Sequence, residues 1–216
     1  MGEQASDFSE PQSLTQDKFD CIVSDLGRDG WSVRANFLDH ERTAILAHEV
    51  RQLSQSGALR PARVGRGKEQ GVHAETRGDR IFWLDQQQHT AAQRLILDEI
   101  ETLRLAINRN LYLGLFEYEG HLTAYPPGTF YHRHLDQFRD APLRMVSCIL
   151  YLNEGWQEAD GGQLRIFLDR EGVGSHMDIL PCGGMLVTFL SGRFYHEVLP
   201  ASRERLSLTG WFRVRE

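Results

Sequence analysis

The hydrophobic pattern of this chain changes period part-way along, and that change limits the fold more than any other feature. After Asn108-Arg109-Asn110 apolar residues alternate with polar ones through Leu113 to Tyr118, Leu122 to Tyr125, Val146 to Leu152, Leu164 to Leu168, Met185 to Leu190 and Leu206 to Val214. Alternation of this kind marks half-buried strands, and Gly and Pro punctuate the stretches between them. Upstream the spacing is helical. Asp39 can cap a helix carrying Ile45, Leu46, Glu49, Val50 and Leu53, with Gly57 as its stop. Thr90 can cap a longer one carrying Leu95, Ile96, Glu99, Ile100, Leu103, Ala106 and Ile107. Phe19 to Leu26 is a first short element, and Ile81 to Leu84 reads as a strand. The fold class is therefore α+β, mainly β: a closed or sandwiched sheet structure supported on one face by N-terminal helices.

At 216 residues the chain suits one domain with a sizeable core. Residues 1 to 15 are polar and aperiodic and are expected to be a disordered tail, leaving 16–216 as the domain. The net charge of −6 gives no field attractive to nucleic acid or an anionic membrane. No apolar run approaches the ~20 residues of a membrane span, and without a basic-then-apolar start no secretory leader is expected. Gly2 and Ser6 fit a loose acylation pattern, but the segment is acidic and lacks a polybasic second signal, so no lipid anchor is expected. Three cysteines, Cys21, Cys148 and Cys182, are an odd number without CxxC spacing. They read as reduced thiols of a cytoplasmic protein.

Residues 60 to 80 carry four glycines and five arginines without hydrophobic periodicity. Such a long loop is either a solvated insertion or a lid that grips a macromolecule.

The chemistry concentrates at Tyr131-His-Arg-His134-Leu-Asp136. On a strand His134 and Asp136 share a face and offer an imidazole nitrogen and a carboxylate to one point. His132 shares that face as well, and spacing alone does not choose between the histidines. A third ligand is available in His196. Two histidines and one carboxylate leave about three positions of an octahedral ion open, the arrangement of non-haem Fe(II) oxygenases. Arg205 lies nine residues further on, in a strand expected to pair with the one carrying His196. A buried guanidinium there needs an anion, and its planar fork suits a carboxylate.

His134-x-Asp136, His196 and Arg205, with Thr209 and Trp211, resemble the iron and 2-oxoglutarate signature of the Fe(II)/2-oxoglutarate-dependent dioxygenases. The surrounding words are Arg77-Gly-Asp-Arg-Ile-Phe-Trp83, Tyr125-Pro126, Arg144-Met-Val-Ser-Cys-Ile-Leu-Tyr-Leu-Asn153, Gly161-Gly-Gln-Leu-Arg-Ile-Phe167 and His196-Glu-Val-Leu-Pro200. They resemble the oxygen-sensing prolyl 4-hydroxylases of hypoxia-inducible factor, and the compact bacterial enzymes of that type above all.

The resemblance implies a double-stranded β-helix with His134, Asp136 and His196 as iron ligands. It implies that Arg205 and Tyr151 hold the far carboxylate of 2-oxoglutarate, that Tyr125 contacts this cosubstrate, and that Thr209 and Trp211 line its pocket. Arg144, Tyr131, Arg77, Asp79 and Trp83 are implied in substrate binding, and 60–84 in a mobile substrate-binding loop. Leu122, Ile149, Leu164 and Val198 are expected to form the dry wall.

The implied reaction consumes Fe(II)-bound O2 and 2-oxoglutarate, releases succinate and CO2, and 4-hydroxylates a proline, with ascorbate as a stimulant. The implied partner is a protein, with elongation factor Tu the first to name. The rivals are a small-molecule or free-proline hydroxylase, a non-catalytic metal-binding sensor, and a zinc hydrolase using His132 with His134.

Overall fold

The computed structural model describes residues 11–63, 71–73, 75–85, 88–138 and 140–216, with backbone alone for 11–17. Most of the expected tail and the centre of the Arg-rich loop lie outside the described residues.

The elements in chain order are α1 (Pro11–Arg28), β1 (Trp31–Arg34), α2 (His40–Gln55), β2 (Arg60–Pro61), β3 (Arg80–Trp83), α3 (Ala91–Leu111) and β4 (Glu117–Tyr125). They continue with β5 (Tyr131–His134), β6 (Arg144–Tyr151), β7 (Leu164–Phe167), β8 (His176–Ile179), β9 (Leu186–Leu190), β10 (His196–Val198) and β11 (Arg205–Arg213). Seven strands form one sheet in the order β1-β9-β6-β11-β4-β3-β2, and four form the other as β5-β10-β7-β8. All the strand pairs are antiparallel.

Both expected helix starts are present. Asp39 accepts the Arg42 amide at 2.8 Å, and Thr90 forms a reciprocal capping box with Gln93. The first element is longer than expected: helix α1 starts at Pro11, so residues 11–15 are helical rather than part of a tail. Proline at a first helical position loses no hydrogen bond, which is why polar residues before Phe19 can still be helical.

The major sheet separates two cores. Even-numbered residues of β11, Leu206, Leu208 and Phe212, join Leu122, Ala124 and the helix residues Ile22, Leu46, Ile96 and Leu103. Between the two sheets lie Tyr125, Ile149, Tyr151, Leu164, Ile166, Val187, Phe189 and Val198. Leu122 is thus on the helix side, and the expectation that it lines the dry wall is corrected: its strand neighbours His121 and Thr123 occupy the other face. The expected pairing of the Arg205 strand with the His196 strand is also corrected. Strand β11 pairs with β4 and β6, whereas β10 pairs with β5 and β7 in the facing sheet. The two residues meet across the space between the sheets.

Gly120 and Gly210 are paired on β4 and β11 beneath the partly buried Tyr118 ring. A Cβ at Gly210 would fall 2.4 Å from the Tyr118 hydroxyl and 2.5 Å from the Glu119 carbonyl oxygen. Gly210→Ala is expected to destabilise by about 2 kcal/mol or more in urea unfolding, since the added methyl overpacks a full site. An unchanged midpoint would mean the ring moves aside freely.

Candidate metal and cosubstrate site

His134 ends β5 and His196 begins β10, and they are register partners in the minor sheet. Asp136 follows β5 in the turn after His134. One ligand atom from each of the three lies within 4.8 Å of the others. The Nε2 atoms of His134 and His196 are each 3.5 Å from a different oxygen of Asp136. On the far side of each ring, Nδ1 sits 2.8 Å from the His132 carbonyl oxygen and 3.2 Å from that of Phe194. A carbonyl only accepts, so each Nδ1 carries the proton and each Nε2 presents a lone pair to the common point.

The carboxylate is prepared in the same way. Burial alone would raise the Asp136 pKa. The positive charge that His196 and His134 take on in acid, with the Ser147 hydroxyl, which donates at 2.6 Å, outweighs it and holds the carboxyl well below the usual range. Burial and neighbouring His134 lower His196 to about 4, so its ring is neutral at physiological pH. Tyr131 stacks on His134 at 3.6 Å between centroids. His132 is exposed and outside the cluster, its ring against Phe130.

Across the cavity Arg205 is 2% exposed. Its Nε donates to the Gly162 carbonyl oxygen at 2.9 Å, and its guanidinium is 5.0 Å from the Tyr151 ring centroid and 5.2 Å from that of Tyr125. No carboxylate among the described residues pairs with it. The Tyr151 hydroxyl is buried beside the Arg205 guanidinium, with no partner at full hydrogen-bond geometry among the described residues, and burial pushes its pKa up to about 12, so it stays protonated. Gly162 (φ +70°) is the cradle: a Cβ there would lie 2.9 Å from the Ala201 Cβ and 3.3 Å from the Arg205 Cδ.

One cavity of about 700 Å³ joins these groups. Its lining includes all three members of the triad, Arg205, Tyr125, Thr209, Trp211, Tyr131, Arg77, Asp79, Trp83 and Arg144; Tyr151 lies behind this surface, against Arg205. Ile149, Leu164 and Val198 supply apolar wall. Arg77 forms a bidentate pair with buried Asp79 (2.7 and 2.6 Å) and lies 4.2 Å over the Tyr131 ring. Backbone bonds from Gly78 to Phe130 and from His132 to Thr76, both 2.9 Å, tie this end of the 60–84 segment to β5. Arg144 pairs with Glu119 at 2.7 Å and lies 3.4 Å over Trp211.

A protein-family model described as the 2OG-Fe(II) oxygenase superfamily matches residues 120–213. A crystal structure of a Pseudomonas putida prolyl-4-hydroxylase is 49% identical, covers 92% of this chain and all of that one, and superposes with a TM-score of 0.80. The chain belongs to the prolyl hydroxylases of the 2OG-Fe(II) oxygenase superfamily. Within that family, a Trichoplax adhaerens prolyl hydroxylase in complex with a hypoxia-inducible factor peptide is 25% identical over 96% of this chain and 94% of that one, with a TM-score of 0.83. The Caenorhabditis elegans hypoxia-inducible factor prolyl hydroxylase is 30% identical over 88% of this chain, which spans 27% of that protein's length. The double-stranded β-helix of the family is the pair of antiparallel sheets described above.

Sequence reasoning missed His121. It faces the cavity from β4 opposite Thr209, its Nδ1 is 2.7 Å from the Thr123 hydroxyl, and its ring meets Trp83 at 4.9 Å and Trp211 at 5.6 Å. The signal was its inward place in the alternation ending at Tyr125. Burial, with Arg77 and Arg144 nearby, lowers its pKa to about 3. The unfolded chain therefore binds a proton below pH 6.5 that the folded chain refuses, and stability falls as the pH drops. Between pH 7 and 5 this group is expected to cost about 2 kcal/mol, and His121→Gln to lose that part of the slope in urea unfolding. Parallel curves for the two proteins would contradict the burial of an uncharged imidazole.

Proposed function

We propose that this protein is an Fe(II)- and 2-oxoglutarate-dependent dioxygenase that 4-hydroxylates a prolyl residue in a protein substrate. The observation that carries the reading is the buried, carboxylate-free Arg205 in the same cavity as the His134, Asp136 and His196 cluster. A metal-binding sensor has no need of a second buried charge, and a zinc hydrolase built on His132 lacks that ligand in the cluster.

The donor set fits the groups the family uses. His134 Nε2, Asp136 and His196 Nε2 would hold Fe(II), being two neutral imidazoles and one ionised carboxylate with their outer atoms already hydrogen-bonded. Arg205 would take the distal carboxylate of 2-oxoglutarate through its free guanidinium edge, and the Tyr151 hydroxyl would donate to the same group. Tyr125 and Thr209 would border that cosubstrate, and Trp211 its outer end. Together the bound metal, 2-oxoglutarate and O2 supply the oxidation that converts proline to hydroxyproline with release of succinate and CO2. Ile149, Leu164 and Val198 keep water from the reacting end, while Tyr131, held between Arg77 and His134, fixes the face of the metal ligand. Ascorbate belongs to the same reading as a stimulant.

A polypeptide substrate is supported by a cavity of about 700 Å³, far larger than one proline needs, and by the peptide bound to the Trichoplax relative. Arg144, Trp83, Arg77 and Asp79 would line its path, under a lid formed by the 60–84 segment of a single domain that includes helix α1. Elongation factor Tu, the partner suggested by the sequence resemblance, is the first protein to test. A cytoplasmic location belongs to the same reading: Cys21, Cys148 and Cys182 are free, as a reducing compartment allows. No helix among the described residues is long and apolar enough to cross a membrane.

Incubation with Fe(II), labelled 2-oxoglutarate and a cell extract is expected to give succinate and prolines heavier by one oxygen in peptide mass spectra. His134→Ala is expected to abolish turnover and His132→Ala to retain it; the reverse would refute the ligand set. Arg205→Lys keeps the charge but loses the fork, so KM for 2-oxoglutarate is expected to rise about ten-fold with a smaller change in kcat. Turnover indifferent to 2-oxoglutarate would end the proposal.

A further inference from the structure

The cavity does not stop at the metal cluster. It runs outward past Trp83, Phe82 and Ile81 to Ala58, Arg60, Pro61 and Arg63, at the β2 edge of the major sheet. Five arginines line it against two aspartates, in a chain whose net charge is −6. The two aspartates are committed: Asp79 to Arg77, and Asp136 to the histidine cluster. Of the arginines, Arg77 and Arg144 have carboxylate partners and Arg205 lies deep inside.

Arg60 and Arg63 differ from all three. Both are exposed, and neither forms an ion pair among the described residues. Arg60 donates one Nη to the Gly57 carbonyl oxygen at 2.7 Å, which holds its guanidinium at the mouth, and no carboxylate among the described residues neutralises its charge. This is a local positive field on an acidic protein, at the end of the channel through which a polypeptide would leave the site.

We infer that the outer mouth, at Arg60 and Arg63, binds an acidic stretch of the polypeptide substrate flanking the target proline. The inference rests on the prolyl hydroxylase reading and adds the chemical class of the flanking sequence. Guanidinium forks meet carboxylates through two parallel hydrogen bonds, and because both side chains are exposed the attraction is screened by salt. Acidic flanks are thereby selected, and basic ones are repelled by the same side chains.

The probe is a fluorescein-labelled peptide with one proline between two runs of glutamate, set beside the same peptide with glutamine in place of glutamate. Binding is read by fluorescence anisotropy with Mn(II) and 2-oxoglutarate present under nitrogen, so no turnover is required. The glutamate peptide is expected to bind at least about five-fold more tightly at low ionic strength. That preference is expected to shrink at high salt and to vanish in Arg60→Glu/Arg63→Glu, whose melting temperature serves as the check on folding. Equal affinity for the two peptides, or a preference the double variant keeps, would overturn the inference while leaving 2-oxoglutarate turnover to judge the reaction itself. Capture of a labelled single-stranded RNA in preference to the glutamate peptide would overturn it too.

Discussion

Two opposite charges are buried in one cavity, and the protein pairs neither with the other. Asp136 is surrounded by neutral imidazole nitrogens and a serine hydroxyl, and Arg205 by tyrosine faces and one carbonyl oxygen. Burying an unpaired ion costs several kcal/mol even after relaxation. Such an arrangement is tolerable in a folded protein when something from outside supplies the missing charges: a cation for the carboxylate, a dicarboxylate for the guanidinium.

The rest of the fold holds those two charges apart and facing. Strand β11 lies at the centre of the major sheet, between β4 and β6, and its alternation divides the labour. Leu206, Leu208 and Phe212 lock it to the helix layer, while Arg205, Thr209 and Trp211 face the cavity. The facing sheet supplies His196 and His134 from adjacent strands, so the histidines converge without a loop to order them. Among the described residues the helices contribute no side chain to this site; they pack on the back of the major sheet.

Much of this was legible from residue spacing. Period-two stretches located the long strands, and Asp39 and Thr90 located the helix starts, because caps and alternation are local physics. The metal cluster was half legible: His134 and Asp136 share a face by spacing, but so would His132 on a regular strand, and it is the register shift in β5, setting Tyr131 rather than His132 opposite Val198, that takes His132 out of the cluster. Which strand faces which is not a local property, and the pairing expected between the Arg205 and His196 strands failed for that reason. The short strands β1 and β8 were missed because each offers only two apolar residues, Trp31 and Val33 in one and Met177 and Ile179 in the other. His121 escaped although the alternation ending at Tyr125 puts it on the inward face, because a histidine by its residue type alone does not announce burial.

The central claim is that the two buried charges await one metal ion and one dicarboxylate that bind together. Equilibrium unfolding under nitrogen, with Fe(II), 2-oxoglutarate, both or neither, tests it directly. A ligand present at a hundred times its dissociation constant stabilises the folded chain by about 2.7 kcal/mol. The expected result is stabilisation by Fe(II) alone, little by 2-oxoglutarate alone, and more by the two together than the sum of their separate effects. Stabilisation by 2-oxoglutarate that is the same with and without the metal, or none by Fe(II), would contradict the account.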